Sequence, residues 1–309
     1  MIASFEPALA AAHAAAAMQD FPVSTLYMVG TPIGNLADIS LRALHVLSLA
    51  DTIACEDTRH SQSLLRAYGI DKRADQWLAV HQHNEAQASE QVLALMGQGQ
   101  RVAYVSDAGT PGISDPGARL ARAVSAQGLR VLPIPGASSL TALLSACGST
   151  HAQDAGFVFW GFLPAKGSER QAALQALSLE NRTQVLLESP HRVISLAADL
   201  SALGERPLTV GRELTKQFEE VATMPAQQLG AWLAHSPQRQ RGEFTLVVHH
   251  AAQQTDELAH ARKVLGLLLA QLPVKTAVRL TADITGQARN LLYPMALQMQ
   301  QSSEDVHGE

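Results

Sequence analysis

The sequence predicts an α/β protein: two successive strand-and-helix units followed by a small helical module. Three observations carry that prediction. Short apolar runs of strand length alternate with longer segments of helical period from about residue 24 to residue 248. Several of these runs end in segments bearing Gly, Pro or Asp, the punctuation expected of loops at strand ends. Hydrophobic residues make up 47% of the 309 and charged residues 17%, a globular composition able to bury a sizeable core and long enough for roughly two domains.

In the first unit, strands are expected at 26–29, 52–55, 102–105 and 129–134, with a further one at 77–81. Helices are expected at 41–49, 61–68, 85–96 and 117–127. Ser40 is placed to cap the first of these, and Gly69 stops the second. Alternation of this kind implies a mainly parallel sheet covered by helices. The segment 135–148, PGASSLTALLSACG, reads as a helix with Ser138 or Ser139 near its start. In the second unit, strands are expected at 157–161, 183–188, 208–211 and 244–248, with 218–222 pairing with 208–211. Helices are expected at 168–177, 193–203 and 227–234. The domains are therefore placed at 25–135 and 136–250.

A short polar linker leads to helices at 256–272, 275–286 and 288–299. Little more than Gly286 separates the last two, as in a helix-turn-helix module spanning 256–299. Arg262, Lys263, Lys275, Arg279 and Arg289 stand there against Asp256, Glu257 and Asp283. So small a basic excess leaves a packing or dimerisation bundle as an equal alternative. Residues 300–309 read as a polar tail. The first twenty residues are alanine-rich without Lys or Arg, which does not predict a secretory leader. Residues 1–24 are expected to be a frayed or helical tail outside the fold.

The net charge of −5 gives no general attraction for nucleic acid, so RNA binding would need a local basic face. Cys55 and Cys147 are too few for a disulfide scaffold or a cysteine zinc site and fit a reducing cytoplasm. No run of about 18 strongly apolar residues occurs, so no membrane span is expected.

The most informative stretch is 102–117, VAYVSDAGTPGISDPG. An apolar strand runs into a loop rich in Gly and Pro that carries Asp107, Gly109, Thr110, Ser114 and Asp115. Ligands of open α/β sheets bind at such carboxyl ends of strands, and glycine lets the backbone approach them. The loop after the first strand, GTPIGN at 30–35, is neither a GxGxxG fingerprint nor a phosphate-gripping loop ending in Gly-Lys-Ser/Thr. It is nevertheless a tight loop available to a ligand. In Cys55-Glu56-Asp57-Thr58-Arg59, two carboxylates follow a strand directly. Either they act in a site, or Arg59 simply neutralises Asp57. Glu188-Ser189-Pro190-His191-Arg192 and Gly211-Arg212-Glu213-Leu214-Thr215-Lys216 follow strands of the second unit. No serine-hydrolase GxSxG elbow is present, and no His, Cys or Asp spacing suggests a metal site.

GTPIGNLADIS, EDTR, SDAGTPGISDPG, PGASS, FLP (162–164), ESPHR, GRELTKQFEE and GEFTLVV occur in order across 26–248. Together they resemble the ribosomal small-subunit RNA (cytidine-2′-O)-methyltransferase family, RsmI, of the tetrapyrrole methylase superfamily. The C-terminal LPVKTAVRLTADITGQARNLLYPMAL resembles the helical module that ends many members. The resemblance implies two α/β domains of tetrapyrrole-methylase type with an S-adenosylmethionine cleft between them, in a cytoplasmic homodimer. It implies methyl transfer to a cytidine 2′-hydroxyl in the decoding centre of 16S rRNA; whether as free RNA or within the 30S subunit is left open by the sequence, and the net charge of −5 points to the structured, protein-containing target.

By the same resemblance the cofactor would be held by Pro32, Asp107, Gly109, Thr110, Ile113, Ser114, Ala137, Ser138 and Leu163. The superfamily's usual Gly-Asp-Pro is here Gly109-Thr110-Pro111, which shifts binding towards backbone contacts from Gly109 to Ser114. A ribose hydroxyl is a poor nucleophile, and a base would help it. Glu56, Asp57, Glu213 and Lys216 are the candidates, with Glu56 and Asp57 preferred for their place at the ligand edge of the first unit. A methylase of the same fold acting on a tetrapyrrole or a protein side chain, and a non-catalytic RNA-binding assembly factor, are the alternatives.

Overall fold

The computed structural model describes residues 5–81, 83–149, 156–251 and 257–304. The chain divides into two compact units, Met1–His250 and Ala251–Glu309.

The first sheet contains β1 (Thr25–Val29), β2 (Thr52–Cys55), β3 (Trp77–Ala79), β4 (Arg101–Val105) and β5 (Arg130–Ile134), in the order β3-β2-β4-β1-β5. Every pairing is parallel. Parallel strands need crossovers, and α2 (Leu41–Leu49), α3 (Thr58–Ala67), α4 (Glu85–Gly97) and α5 (Gly117–Ala126) supply them. Successive strand residues point to opposite faces. Tyr27, Ile53 and Val105 accordingly pack with Leu44, Leu47 and Leu65 on one side. Leu26, Ala54 and Tyr104 pack with Val92, Met96 and Leu120 on the other. Both faces being buried explains why these strands read as apolar runs rather than alternating ones.

The expectation of an N-terminal tail outside the fold is corrected for the residues described. Glu6–Ala16 forms α1, which packs against α2. Ala12 and Ala16 are buried, and the Phe5 ring meets Tyr68 edge-on at 5.0 Å. Alanine brings little apolar area, but its small side chain lets two helices approach closely, and Phe5 anchors the end.

The second sheet contains β6 (Phe157–Gly161), β7 (Thr183–Glu188), β8 (Pro207–Arg212), β9 (Glu220–Pro225) and β10 (Phe244–Val248), ordered β6-β7-β10-β8-β9. Only β6 and β7 are parallel; the other pairings are antiparallel. Its helices are α7 (Gly167–Leu179), α8 (Val193–Leu200) and α9 (Leu229–Ala234). Between the sheets, α6 (Ser139–Ala146) carries the chain across. Its Leu140 and Leu143, with Cys147, pack on Val185 and Val247 of the second sheet.

In the C-terminal unit, α10 (Glu257–Leu269), α11 (Val274–Thr285) and α12 (Arg289–Glu304) enclose Ala261, Leu265, Val278 and Leu292. Gly286 caps α11 with φ +73°, a conformation glycine adopts without penalty. The helix expected to end at 299 runs on to Glu304, so the polar segment from 300 begins as helix. Asp256 and residues 305–309 lie outside the described residues. Among the described residues, no helix is long and apolar enough to cross a membrane.

Candidate active site

Because the first sheet is parallel, the loops after β1, β2, β4 and β5 emerge at one edge, and β1 lies between β4 and β5. Backbone contact locks these loops together. A Cβ on Gly30 would lie 2.7 Å from the Gly136 nitrogen, and one on Gly136 would lie 2.6 Å from the Gly30 carbonyl oxygen. Only glycine fits at either position. The Thr31 N–H donates to the Gly109 carbonyl (3.0 Å), and the Thr110 hydroxyl donates to the Ala137 carbonyl (3.0 Å). Gly109 holds φ +80°, with Ile33 Cγ2 3.1 Å from where a Cβ would stand. Asp115 closes the loop after β4. Its carboxylate accepts from Gly112 N (2.7 Å), Gly117 N (2.8 Å) and the Tyr104 hydroxyl (3.0 Å).

These loops frame a cleft lined by Glu56, Asp107, Gly109, Thr110, Ile113, Ser114 and Ser138, all expected from the sequence. It continues through Ile33, Ala108, Ser139 and Leu187 to a wall from the second sheet that includes Phe162, Glu188, Leu214 and Phe244. Ala137 takes part through its carbonyl. Pro32 is buried in the first loop. Leu163 is buried in the core of the second sheet, with its carbonyl accepting from Arg192. Thr110 spends its hydroxyl on a neighbouring loop, donating to the Ala137 carbonyl, rather than in the cleft.

Glu56 and Asp57 are adjacent in sequence but differ in surroundings. Glu56 lies in the cleft, and its pKa is raised by burial, then by the negative charges of Asp107 and Asp115. Asp57 is the N-cap of α3, accepting from Arg59 N (2.8 Å) and His60 N (3.4 Å), with the Arg59 guanidinium paired at 3.2 Å. Those bonds hold its pKa below the ordinary value, those from the Arg59 side chain first. This cap also explains why α3 starts at Thr58 rather than at residue 61. The Asp57 N–H in turn donates to Asp107 Oδ1 (3.2 Å), tying the β2 and β4 loops together. Burial pushes the Cys55 thiol up to about 11, which leaves it inert beside the site.

Glu213 and Lys216 do not line this cleft themselves, but they bond Glu243, which lines its second-sheet wall. Lys216 Nζ bonds Glu213 Oε1 (2.9 Å) and Glu243 Oε2 (3.2 Å). Burial raises the Glu213 pKa, but the Lys216 and Glu243 N–H bonds outweigh it and the net shift is downward. Burial likewise lowers Lys216, and its two carboxylates bring it above its ordinary value. Among the described residues, no cluster of His, Cys, Asp and Glu could hold a metal ion. Three contributors were not singled out as site residues from the sequence: Thr31, Ile33 and the clamp Asp115. Asp115 was legible as a member of the Gly- and Pro-rich loop after the 102–105 strand, but its role as the clamp of that loop was not.

Comparison with known proteins agrees with this geometry. A profile of the tetrapyrrole (corrin/porphyrin) methylases matches residues 25–230, and one of the RsmI C-terminal HTH domain matches residues 255–300. The protein of Escherichia coli O157:H7 named Ribosomal RNA small subunit methyltransferase I is 46% identical over 278 residues, covering 89% of this chain and 95% of its own. The protein of the same name from Pseudomonas aeruginosa is 45% identical, covering 90% and 99%.

The chain belongs to the RsmI family of the tetrapyrrole methylases.

That membership makes it a methyltransferase with an S-adenosylmethionine-binding type of fold. Among solved structures, a Thermus thermophilus uroporphyrin-III-C-methyltransferase matches with TM-score 0.51 at 24% identity, over 72% of this chain and 94% of that one. Cobalt precorrin-4 methyltransferase matches with TM-score 0.54 at 18% identity, over 72% and 94%. At such identities these likenesses show the fold alone. Gly30 and Gly136 pack backbone on backbone and hold the loops together, while Gly109 lines the cleft and is the glycine placed to meet a ligand by its backbone.

Proposed function

We propose that this chain transfers the methyl group of S-adenosylmethionine to the ribose 2′-hydroxyl of a decoding-centre cytidine in 16S rRNA, acting on the 30S subunit as a cytoplasmic homodimer. The observation that carries this reading is the near full-length match, through the C-terminal module, to relatives named Ribosomal RNA small subunit methyltransferase I. A tetrapyrrole methylase of the same fold would not need that module.

The backbone from Gly109 to Ser114, with Ala137 and Ser138, would hold the cofactor, whose sulfonium supplies an electrophilic methyl group. The chain's own work is alignment and proton removal. Holding reacting atoms about 3–3.5 Å apart in line supplies much of the acceleration in such a displacement. A Glu56 carboxylate oxygen accepts the proton of the 2′-hydroxyl as the oxygen attacks. Its raised pKa makes it a stronger base than an ordinary carboxylate. Asp57 supports the site by capping α3 and fixing Asp107. A chain of net charge −5 gains little from bulk attraction to RNA, which favours a structured, protein-containing target.

The test is genetic. Deleting the gene in its own organism should remove one 2′-O-methylcytidine from 16S rRNA, read as lost resistance of that linkage to alkaline hydrolysis. Re-expression should restore it. An unchanged methylation pattern would overturn the reading.

A further inference from the structure

The Glu213–Lys216 pair belongs to the second half of the catalytic unit, yet Lys216 packs against a glycine of the first. A Cβ on Gly34, in the loop after β1, would lie 2.3 Å from Lys216 Cγ, 2.8 Å from Cε and 3.0 Å from Cδ. The aliphatic stem of Lys216 therefore lies flat on Gly34. Contact with Cγ, near the root of the side chain, cannot be relieved by swinging the ammonium aside.

The far end is equally fixed. Nζ is held between Glu213 and Glu243. Glu213 is itself locked: its N–H donates to the Glu243 carbonyl (3.0 Å), and its Oε1 accepts from Glu243 N (3.0 Å). A Cβ on Gly242 would meet Glu213 Oε1 at 2.4 Å. Glu213 and Thr215 both hold positive φ, 51° and 66°. Non-glycine residues keep such conformations only where the surroundings enforce them.

We infer that Lys216 is a positioning residue: a rigid strut from the β8 and β10 ends that sets how closely the second half approaches the loop after β1, and so the width of the cleft. The inference deepens the proposed function, because Ile33, next to Gly34, lines the cleft and touches the Gly109 position. Lys216 bonded to two carboxylates is a poor proton acceptor, so the network assigns it to spacing rather than to chemistry.

A steric double-mutant cycle tests this with wild type, Gly34→Ala, Lys216→Ala and the double variant, with Lys216→Met as the conservative control. Unfolding midpoint, S-adenosylhomocysteine affinity by calorimetry, and single-turnover transfer to 30S subunits are measured on each. Gly34→Ala should push the halves apart by a fraction of an ångström or more. Since a 1 Å misplacement costs up to ~10²-fold, affinity or turnover should fall by roughly 10- to 100-fold. Gly34 also holds φ +158°, where alanine is strained whatever the space, so adding Lys216→Ala removes the obstruction but not that strain and should recover part of the loss, and Lys216→Met, which keeps a stem, should stay closer to wild type than Lys216→Ala. A purely structural pair would instead change the unfolding midpoint and leave affinity and turnover alone. A silent Gly34→Ala, or a double variant no better than Gly34→Ala, would overturn the inference. If wild type binds S-adenosylhomocysteine but does not methylate subunits, the RNA reading fails and affinity alone decides the strut. If it binds neither, the cleft reading fails and the inference that rests on it is overturned.

Discussion

Replacing Glu56 with Gln keeps the shape of the side chain and removes its charge and its ability to take a proton. The structure places this carboxylate in the cleft, partly withdrawn from water and facing the charges of Asp107 and Asp115, all of which raise its pKa above the ordinary 4.5. The general base is worth about 10²–10⁴ in rate, so single-turnover methyl transfer should fall by that factor while cofactor affinity holds. The pH dependence follows with a definite sign. The base form is required, so wild-type activity should rise with pH through a limb above the ordinary carboxylate range. Asp107→Asn removes one negative neighbour and should move that limb to lower pH.

Stability should change in the opposite sense. A carboxyl whose folded pKa is raised binds protons more readily folded than unfolded, so it destabilises the fold as pH rises through that window. Glu56→Gln should therefore melt higher than wild type near neutral pH and no higher below about pH 4, under the unfolded carboxyl pKa. Rapid-quench turnover and melting curves on the same preparations check both signs. Full turnover by Glu56→Gln would refute the base assignment and return attention to Glu213.

Gly109→Val places a β-branched side chain at φ +80° and against Ile33 Cγ2. The strain of about 1–3 kcal/mol should weaken S-adenosylhomocysteine binding about tenfold or more in calorimetry; wild-type affinity in a folded variant would remove Gly109 from the cradle. Asp57→Ala removes the α3 cap and the Arg59 partner, so its unfolding midpoint should drop while single-turnover transfer falls far less than in Glu56→Gln; a rate loss as large would restore Asp57 as a catalytic candidate. A chain ending at Gln254 retains the whole of the first compact unit. It should bind S-adenosylhomocysteine like the full chain but methylate subunits more slowly, and unimpaired turnover would make the helical module a bystander.

Much of the framework was legible because local signals and tertiary outcome coincide. Strands 52–55, 157–161, 183–188 and 244–248 match their observed bounds, each an apolar run ended by a loop residue. The parallel first sheet followed from strand–helix alternation, and with it the gathering of Gly109, Glu56 and Ser138 at one edge. Strand order and the antiparallel pairings of β10 were not legible, since both depend on which partner a strand meets in space. The docking of α1 was missed because alanine's small area gives no amphipathic signal, although helix contact needs only Ala12, Ala16 and Phe5. Sequence weighed Glu56 and Asp57 alike, and the structure separates them by which carboxylate is committed to the start of α3. The Lys216–Gly34 contact spans two halves of the unit, and no spacing rule reaches across it.

Methylation of a ribose oxygen in assembled ribosomal RNA by this cleft can be measured directly. Purified protein, 30S subunits lacking the modification and labelled S-adenosylmethionine test it in one reaction, with the product digested to nucleosides and mapped by nuclease protection. Label should appear in 2′-O-methylcytidine at a single decoding-centre position, with little transfer to naked 16S rRNA and strongly reduced transfer by Glu56→Gln. Label on a base carbon or nitrogen, on a ribosomal protein, or absent from subunits that wild-type protein has been given would contradict the proposed function.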